Sequence, residues 1–219
     1  MLVLLAVHRI GRITGPPALS DSPVTLVRLA ARASSCGRTL TGTGFAYAPD
    51  HVMASAHSVA GATGPIIVRT ADGRDRRSSV VHFDPDRDVA VVRVPALPSG
   101  RLAFKGLAGG ATGTLARYSD DTGPVTGPAK VANTMLARGP DLFGRGSVRR
   151  RVHTITAAIT AKDSDSLLLR PDGAVTAMVF AADLDDRSNS YALTATELTP
   201  AARQGLASTI TVPTPRCTT

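Results

Sequence analysis

Short apolar runs bounded by glycine, proline or aspartate recur along the whole chain. The clearest of them are Gly44–Ala48, Val52–Ala54 and Val89–Val94. Apolar runs of this length between turn residues are typical of buried β-strands. The 20 glycines and 15 prolines are spread along the chain rather than clustered, as expected for many short strands joined by tight turns. The pattern therefore predicts an all-β sandwich or barrel, with Glu197–Gly205 as the single helix.

The predicted strands fall into two sets that follow a Gly/Pro-rich linker at residues 1–23. The first set occupies residues 24–105 and begins with Val24–Ala33, whose two arginines are spaced in a way that suits either a strand or a helix. The second set occupies residues 106–205. Its six predicted strands are Thr112–Tyr118, Val125–Ala137, Val148–Ala161, Ser166–Arg170, Ala174–Ala181 and Tyr191–Thr194.

The composition is basic, with a formal net charge of +8 that comes mostly from arginine. Such a balance raises nucleic acid or an anionic surface as a partner. The chain has no tryptophan, few aromatic side chains to stack on bases, and no zinc-ligand spacing, so we expect no nucleic-acid partner. The strongest basic cluster, Arg145–Arg151, is interpreted as a solvated loop and strand edge. Its alternative role is contact with anionic cell-wall polymer or lipid headgroups.

Two cysteines, Cys36 and Cys217, lie near the two ends of the predicted domain. Without a C-x-x-C motif or a histidine cluster, they make a poor metal site and a poor redox motif. A disulfide that joins the start and the end of one domain fits better, and it indicates an oxidising compartment. Two buried free thiols are the alternative.

The candidate chemistry is organised around Thr41–Ala62. A predicted strand, a turn at Pro49-Asp50 and a second short strand lead to His57, which is flanked by small residues. This arrangement presents an imidazole at a strand end, with room beside it for a substrate and a partner carboxylate. Taken alone, a histidine of this kind is more often a structural or surface residue.

Three segments together resemble a known family. They are G-T-G-F with A-H-S-V-A-G around His57, D-P-D-R-D-V-A-V-V around Asp88, and D-S-D-S-L-L-L-R-P-D-G around Ser164. The set is similar to chymotrypsin-type serine proteases, and more narrowly to the membrane-anchored, periplasmic acid-resistance proteases of mycobacteria and other actinobacteria. The resemblance covers nearly the whole chain beyond the linker.

The resemblance implies a chymotrypsin-like protease domain over residues 24–217, with two six-stranded antiparallel β-barrels, a short C-terminal helix and a disulfide between Cys36 and Cys217. It implies an extracytoplasmic serine endopeptidase. Ser164 would attack the scissile carbonyl, His57 would act as general base and then acid, and Asp88 would orient the imidazole. We expect a monomer that takes peptide or protein substrates and needs no cofactor or metal.

The N-terminal residues bear on the location of the protein. Met1–Val7 is apolar but too short to span a bilayer, and it lacks the basic region and cleavage site of a signal peptide. The resembling proteins carry a multi-helix membrane anchor before the protease domain. Residues 1–23 are therefore interpreted as a linker or a remnant of such an anchor, with membrane or cell-wall association if the true start lies upstream.

Asp88 has two rivals for the carboxylate role, Asp84 and Asp86. Their D-x-D-x-D spacing also suggests a calcium loop. An EF-hand loop would need glycine and glutamate where this chain has Val89 and Pro95, so the calcium interpretation is rejected. Asp88 is preferred because it alone adjoins the apolar strand that would carry it to the histidine.

The nucleophile segment departs from the family, which places glycine before the Asp-Ser pair and two glycines after it. This chain has Lys162, Asp165 and Ser166 at those positions. The implied oxyanion donors are the backbone amides of Lys162 and Ser164, and a residue other than glycine there is strained or turns one donor away. Asp165 also adds a negative charge that would repel an oxyanion. An active peptidase and a catalytically inactive binding or scaffold module at the cell envelope therefore both remain open.

The implied substrate pocket has an apolar floor. Alignment with the family puts Ala158 at the base of the primary pocket and Phe180 with Ala181 on the strand that pairs with substrate. Such a floor disfavours arginine or lysine at the cleavage site and favours small or hydrophobic side chains. A purely structural role for Ala158 is the alternative.

Overall fold

A computed structural model describes residues 24–157, 165–182 and 189–217 of the chain. Within these residues, twelve β-strands form two closed six-stranded barrels, and one α-helix follows them. The predicted all-β, two-barrel architecture is thus confirmed. The N-terminal linker and three predicted site residues, Ala158, Lys162 and Ser164, lie outside the described residues.

The first barrel is built from six antiparallel strands in the order β1-β2-β3-β6-β5-β4, and pairing of β1 with β4 closes it. The run Val24–Ala33, which suited a strand or a helix, forms a strand in register with β2 over nine residue pairs. The strands are β1 (Thr25–Ala33), β2 (Arg38–Ala48), β3 (His51–Ala54), β4 (Ile66–Arg69), β5 (Asp75–Asp84) and β6 (Val89–Arg93).

The second barrel has the same strand order, β10-β11-β12-β9-β8-β7, and is closed by pairing of β10 with β7. Strand β9 ends at Thr156, earlier than the predicted end at Ala161, and β8 is longer than predicted at both ends. The strands are β7 (Thr112–Ser119), β8 (Gly123–Gly139), β9 (Val148–Thr156), β10 (Leu167–Leu169), β11 (Val175–Ala182) and β12 (Asn189–Thr194).

Apolar side chains fill each barrel, and a third apolar cluster joins the two. This shared cluster takes Phe45 and Met53 from the first barrel and Leu167 and Met178 from the second, all fully buried. Because burial of such side chains is the main favourable term in folding, the shared cluster fixes the two barrels against each other. The groove between them is therefore a rigid place for a site.

Helix α1 (Ala195–Leu206) starts two residues before the predicted helix and ends one residue after it. It packs on the first barrel, where the Tyr47 hydroxyl donates to the Ala202 carbonyl at 3.0 Å. Gly205 lies so close to β6 that an added Cβ would sit 2.6 Å from a methyl group of Val91. No helix of the described residues is long and apolar enough to cross a membrane.

The C-terminal segment, residues 207–217, runs back over the first barrel. The Val212 amide donates to the Val80 carbonyl, and the Gly61 amide donates to the Thr214 carbonyl. The segment ends in the Cys36–Cys217 disulfide, which links residues 181 apart in sequence and confirms the predicted bridge. In the chain-entropy model, closing a loop of this length stabilises the fold by about 5 kcal/mol.

The basic cluster Arg145–Arg151 was predicted to be a solvated loop and strand edge, and the structure corrects this prediction at one residue. Arg145, Arg149 and Arg151 are exposed, but Arg150 is buried. Its guanidinium donates to the backbone carbonyls of Asp86 and Pro140. Arg150 therefore ties the two barrels together and is not part of an exposed basic surface.

Candidate active site

His57 lies in a 3-10 turn, Ala56–Ser58, directly after β3. The amide of Ala56 donates to the backbone carbonyl of Asp88, which anchors this turn to the start of β6. The imidazole is 27% exposed, so one edge of the ring is open to solvent. The prediction that the sheet presents an imidazole at a strand end is confirmed.

Asp88 lies immediately before β6 and holds His57 at two points. One carboxylate oxygen accepts the backbone amide of His57 at 2.9 Å, and the other faces the ring Nδ1 at 2.7 Å. Asp88 has a backbone φ of +55°, a conformation that aspartate tolerates better than most residues. The rival Asp84 instead pairs with Arg87, whereas Asp88 contacts the imidazole directly.

A second carboxylate faces the opposite nitrogen of the same ring. Asp165 Oδ1 lies 3.8 Å from His57 Nε2, and the Asp165 side chain is only 1% exposed. Its Oδ2 accepts a hydrogen bond from the hydroxyl of Ser58 at 2.6 Å. The charge predicted beside the nucleophile is therefore turned inward, beneath His57.

A small cavity on the first barrel receives the Asp165 carboxylate. Gly42 of β2 and Ser58 form it, and a Cβ added at Gly42 would lie 2.4 Å from both Asp165 Oδ2 and Ser58 Oγ. Glycine is thus required at position 42 because a buried polar group comes close to the backbone. The Asp165 amide donates to the Val179 carbonyl of β11 at 2.9 Å, which fixes the aspartate from the side of the second barrel.

These surroundings change the protonation of both groups. Burial lowers the pKa of His57, but the Asp165 charge and the hydrogen bond with Asp88 outweigh it and raise that pKa to about 9. Burial raises the pKa of Asp165, while the neighbouring imidazolium and the Ser58 hydroxyl act against burial. Both pKa values are raised, so His57 and Asp165 together retain a proton that the isolated residues would release at neutral pH.

The predicted substrate-contact residues Phe180 and Ala181 lie on β11, where the register with β12 shifts between Val179 and Ala181. Phe180 is half-buried, with the Arg150 guanidinium 6.0 Å from its ring centre. The bulge makes Phe180 the unpaired residue of the strand. The remaining pocket residue, Ala158, and the nucleophile and oxyanion residues lie outside the described residues.

Comparison with known proteins decides the family. A family model described as a trypsin-like peptidase domain matches residues 42–178. The chain belongs to the trypsin-like peptidases. The matched residues of this trypsin-like chain begin at Gly42, which lies beside Asp165, and include strands β3 to β10.

Relatives of known name agree with this assignment. The serine proteases Rv3671c and MT3772, from two strains of Mycobacterium tuberculosis, are 34% identical to this trypsin-like chain over 191 residues. The match covers 83% of this chain and 48% of each relative. The chain thus spans about half the length of the curated relatives it matches.

Solved structures show the same trypsin-like fold. The crystal structure of Rv3671c protease from M. tuberculosis in its active form aligns with a TM-score of 0.83 at 31% identity, covering 100% of both chains. The inactive form aligns with a TM-score of 0.73 at 30% identity, covering 86% of this chain and 92% of that one. A serine endoprotease from Yersinia pestis shares the fold at 14% identity and a TM-score of 0.68.

Two members of the trypsin-like site escaped the sequence analysis. Ser58 follows His57 directly, and Gly42 stands in the T-G-T-G-F run, but neither carries chemistry that marks it out. Their role depends on Asp165, which is 107 residues from Ser58. The only sequence signal was the replacement of a family glycine by Asp165 itself.

Proposed function

We propose that this trypsin-like domain is a serine endopeptidase that acts outside the cytoplasm, with His57, Asp88 and Ser164 as its catalytic residues. The observation that carries the proposal is the double hydrogen bond from His57 to Asp88, through ring and backbone. An imidazole fixed in tautomer and orientation, with its second nitrogen left for another group, is what general-base catalysis requires.

In the proposed mechanism, Asp88 accepts the Nδ1–H of His57, so that Nε2 is the nitrogen that takes a proton. Ser164 attacks the carbonyl carbon of a peptide bond while its hydroxyl proton passes to Nε2. The same proton then goes to the leaving amine, and water repeats the sequence to release the acyl group from Ser164.

The oxyanion of the tetrahedral intermediate would accept hydrogen bonds from the backbone amides of Lys162 and Ser164. Each such donor typically contributes about 10²–10³ in rate. Substrate backbone would pair with β11 at Phe180 and Ala181, and Ala158 would form an apolar pocket floor. Small or hydrophobic residues are therefore the proposed preference at the cleavage site.

The Cys36–Cys217 bridge supports a location outside the cytoplasm, because disulfides form and persist in oxidising compartments. The domain as described has its own closed core and an end-to-end bridge. These features suit a monomer exposed to the cell envelope, attached to the membrane or wall by sequence outside the domain.

A catalytically inactive binding module is the second candidate function, and one observation favours it. Asp165 Oδ1 lies 3.8 Å from Nε2, the nitrogen that must receive the serine proton. If this carboxylate keeps Nε2 protonated under all conditions, the groove would hold a peptide without cleaving it.

A fluorophosphonate probe distinguishes the two functions, because it reacts with a serine hydroxyl only where base and oxyanion donors are assembled. The intact domain should be labelled, and both the Ser164→Ala variant and the Asp88→Asn variant should not. Labelling no stronger than that of Ser164→Ala, in protein whose folding is verified by circular dichroism, would favour the binding module. Because the Asp165 charge and the Asp88 hydrogen bond raise the pKa of His57 to about 9, the labelling should be measured from pH 6 to pH 10.

A further inference from the structure

We propose that Asp165 is a resident counter-ion of His57 that sets the pH range in which the imidazole can accept a proton. This inference deepens the proposed function and rests on it. This arrangement would make the peptidase latent near neutrality and active in alkaline conditions.

The geometry around His57 carries the proposal. The ring lies between two carboxylates, with Asp88 Oδ2 at 2.7 Å from Nδ1 and Asp165 Oδ1 at 3.8 Å from Nε2. Oppositely charged groups at these separations favour the charged form of the ring. An imidazole with an anion at each nitrogen is in the arrangement that suits imidazolium, which donates from both nitrogens.

The Asp165 carboxylate has one oxygen left for the ring. Its Oδ2 accepts the Ser58 hydroxyl, whereas Oδ1 is buried and makes no hydrogen bond of normal geometry among the described residues. Burial raises the pKa of Asp165, and the hydroxyl of Ser55, also buried, acts with that of Ser58 to lower it. A buried acceptor without a partner is unfavourable because it has lost its hydrogen bonds to water. The nearby Nε2 of a protonated His57 offsets that cost by its charge, so the imidazolium and the carboxylate stabilise each other.

The first barrel is shaped to receive this carboxylate. Ser58 supplies the hydroxyl, and the absent side chain at Gly42 supplies the space, since a Cβ there would lie 2.4 Å from Asp165 Oδ2. The amide of Asp165 is held in turn by the Val179 carbonyl. Three contacts from separate parts of the chain thus specify the inward position of the aspartate.

The other charges near the ring do not alter this assignment. Among the described residues, the groups whose charges act on His57 are Asp165 and Asp88. Those that act on Asp165 are His57 and Asp88. Neither lysine nor arginine is among these described groups, so within the described part of the chain a positive charge on His57 itself balances the two carboxylates.

The proton balance gives the functional consequence. With one proton at Nδ1 facing Asp88, a second proton on Nε2 faces Asp165 Oδ1 across 3.8 Å. Ser164 can transfer its hydroxyl proton to Nε2 only after that second proton has left to solvent, and the raised pKa of His57, about 9, puts its release in alkaline solution. Removing the Asp165 charge should restore a neutral His57 at lower pH.

NMR titration tests the counter-ion directly and does not require catalysis. The Hε1 shift of His57 would be followed from pH 5 to pH 11 in the full chain carrying Ser164→Ala, with His57→Gln used to assign the signal among the five histidines. Adding Asp165→Asn should lower the midpoint of the titration by about 1–3 pH units. Asp165→Gly, which suits the φ of +72° at this position, should lower it similarly.

Asp50→Asn is the matched control. Asp50 also has a positive φ, +61°, but its carboxylate accepts the amide of Leu97 and is not among the groups that act on His57. The control should leave the titration midpoint unchanged. A midpoint that moves by less than about 0.3 pH units in both Asp165 variants would overturn the proposal, since a charge at this distance must act on the ring.

Fluorophosphonate labelling rates separate this proposal from the proposed function. With Ser164 intact, the pH at which labelling reaches half its maximum should fall in Asp165→Asn and Asp165→Gly by the shift that NMR measures, and remain in place in Asp50→Asn. A shift in NMR without labelling of any variant would refute the peptidase and retain the counter-ion. Labelling with an unchanged pH profile in the Asp165 variants would retain the peptidase and refute the counter-ion.

Discussion

Asp88 binds His57 both through the imidazole and through the peptide amide of the same residue, at 2.7 and 2.9 Å. The backbone contact fixes the Asp88 carboxylate relative to the turn that carries the ring, and the ring contact fixes Nδ1 against the same carboxylate. A substitution at Asp88 is therefore expected to alter the orientation and the tautomer of the His57 ring.

Asp88→Asn should lower kcat/KM for a peptide substrate by about 10⁴, because an asparagine amide that donates to Nδ1 would leave the wrong tautomer of His57. The backbone amide of His57 would still have the asparagine oxygen as acceptor, so the midpoint of thermal unfolding should change little. Rates with a chromogenic peptide and a thermal melt check the two parts. A loss of less than tenfold in well-folded protein would contradict the role of Asp88.

Gly42→Ala should displace the Asp165 carboxylate, since the added Cβ would overlap both Asp165 Oδ2 and Ser58 Oγ. Overpacking of a buried site typically costs about 1–3 kcal/mol, so the free energy of unfolding in urea should fall by that amount. Gly127→Ala is the control, because nothing lies within 4 Å of a Cβ built at Gly127. A Gly42→Ala domain as stable as the Gly127→Ala domain would show that the cavity does not hold the aspartate tightly.

Gly205→Ala should destabilise the domain even though alanine is the better helix former. The helix gains about 1 kcal/mol from the exchange, but the new Cβ would lie within 2.8 Å of three atoms of Val91 on a fixed strand. We expect a net loss of about 1–2 kcal/mol after the overpacking cost, measured by urea unfolding. The exposed neighbour Gln204→Ala should be neutral or slightly stabilising.

The stability of the domain should fall as pH rises from about 6.5 to about 9. Unfolded His57 releases its proton near its ordinary pKa of 6.5, whereas the folded residue keeps it to about 9. The folded state thus binds more protons in this window, and stability declines with pH. Urea unfolding at intervals across the window checks this, and Asp165→Asn should flatten the decline. A decline of the same slope in that variant would assign it to other groups.

Much of the fold could be predicted from the sequence because local signals and tertiary structure agree. Gly44–Ala48 and Val52–Ala54 carry their strand pattern within a few residues, and a Pro-Asp turn separates them. Asp88 could be chosen over Asp84 because it alone borders the apolar strand. Val24–Ala33 was ambiguous since its pattern fits two periods, and only pairing with β2 and β4 resolves it.

The inward position of Asp165 could not be predicted for the opposite reason. Its direction is set by the hydroxyl of Ser58 and the empty space at Gly42, residues more than a hundred positions earlier in the chain. The sequence signalled the charge but not the cavity that would receive it. The helix also contains Pro200, and the Thr199 hydroxyl donates to the Ala195 carbonyl in its first turn.

The cavity at Gly42 also has an evolutionary meaning. Aspartate and glycine codons differ only at the middle base, so a single point mutation at position 165 exchanges the buried anion for an empty niche. The niche itself is made by the other barrel and persists through either exchange. With Asp165 as the proposed counter-ion of His57, a single nucleotide would therefore shift the pH range in which the imidazole accepts a proton, without any remodelling of the scaffold.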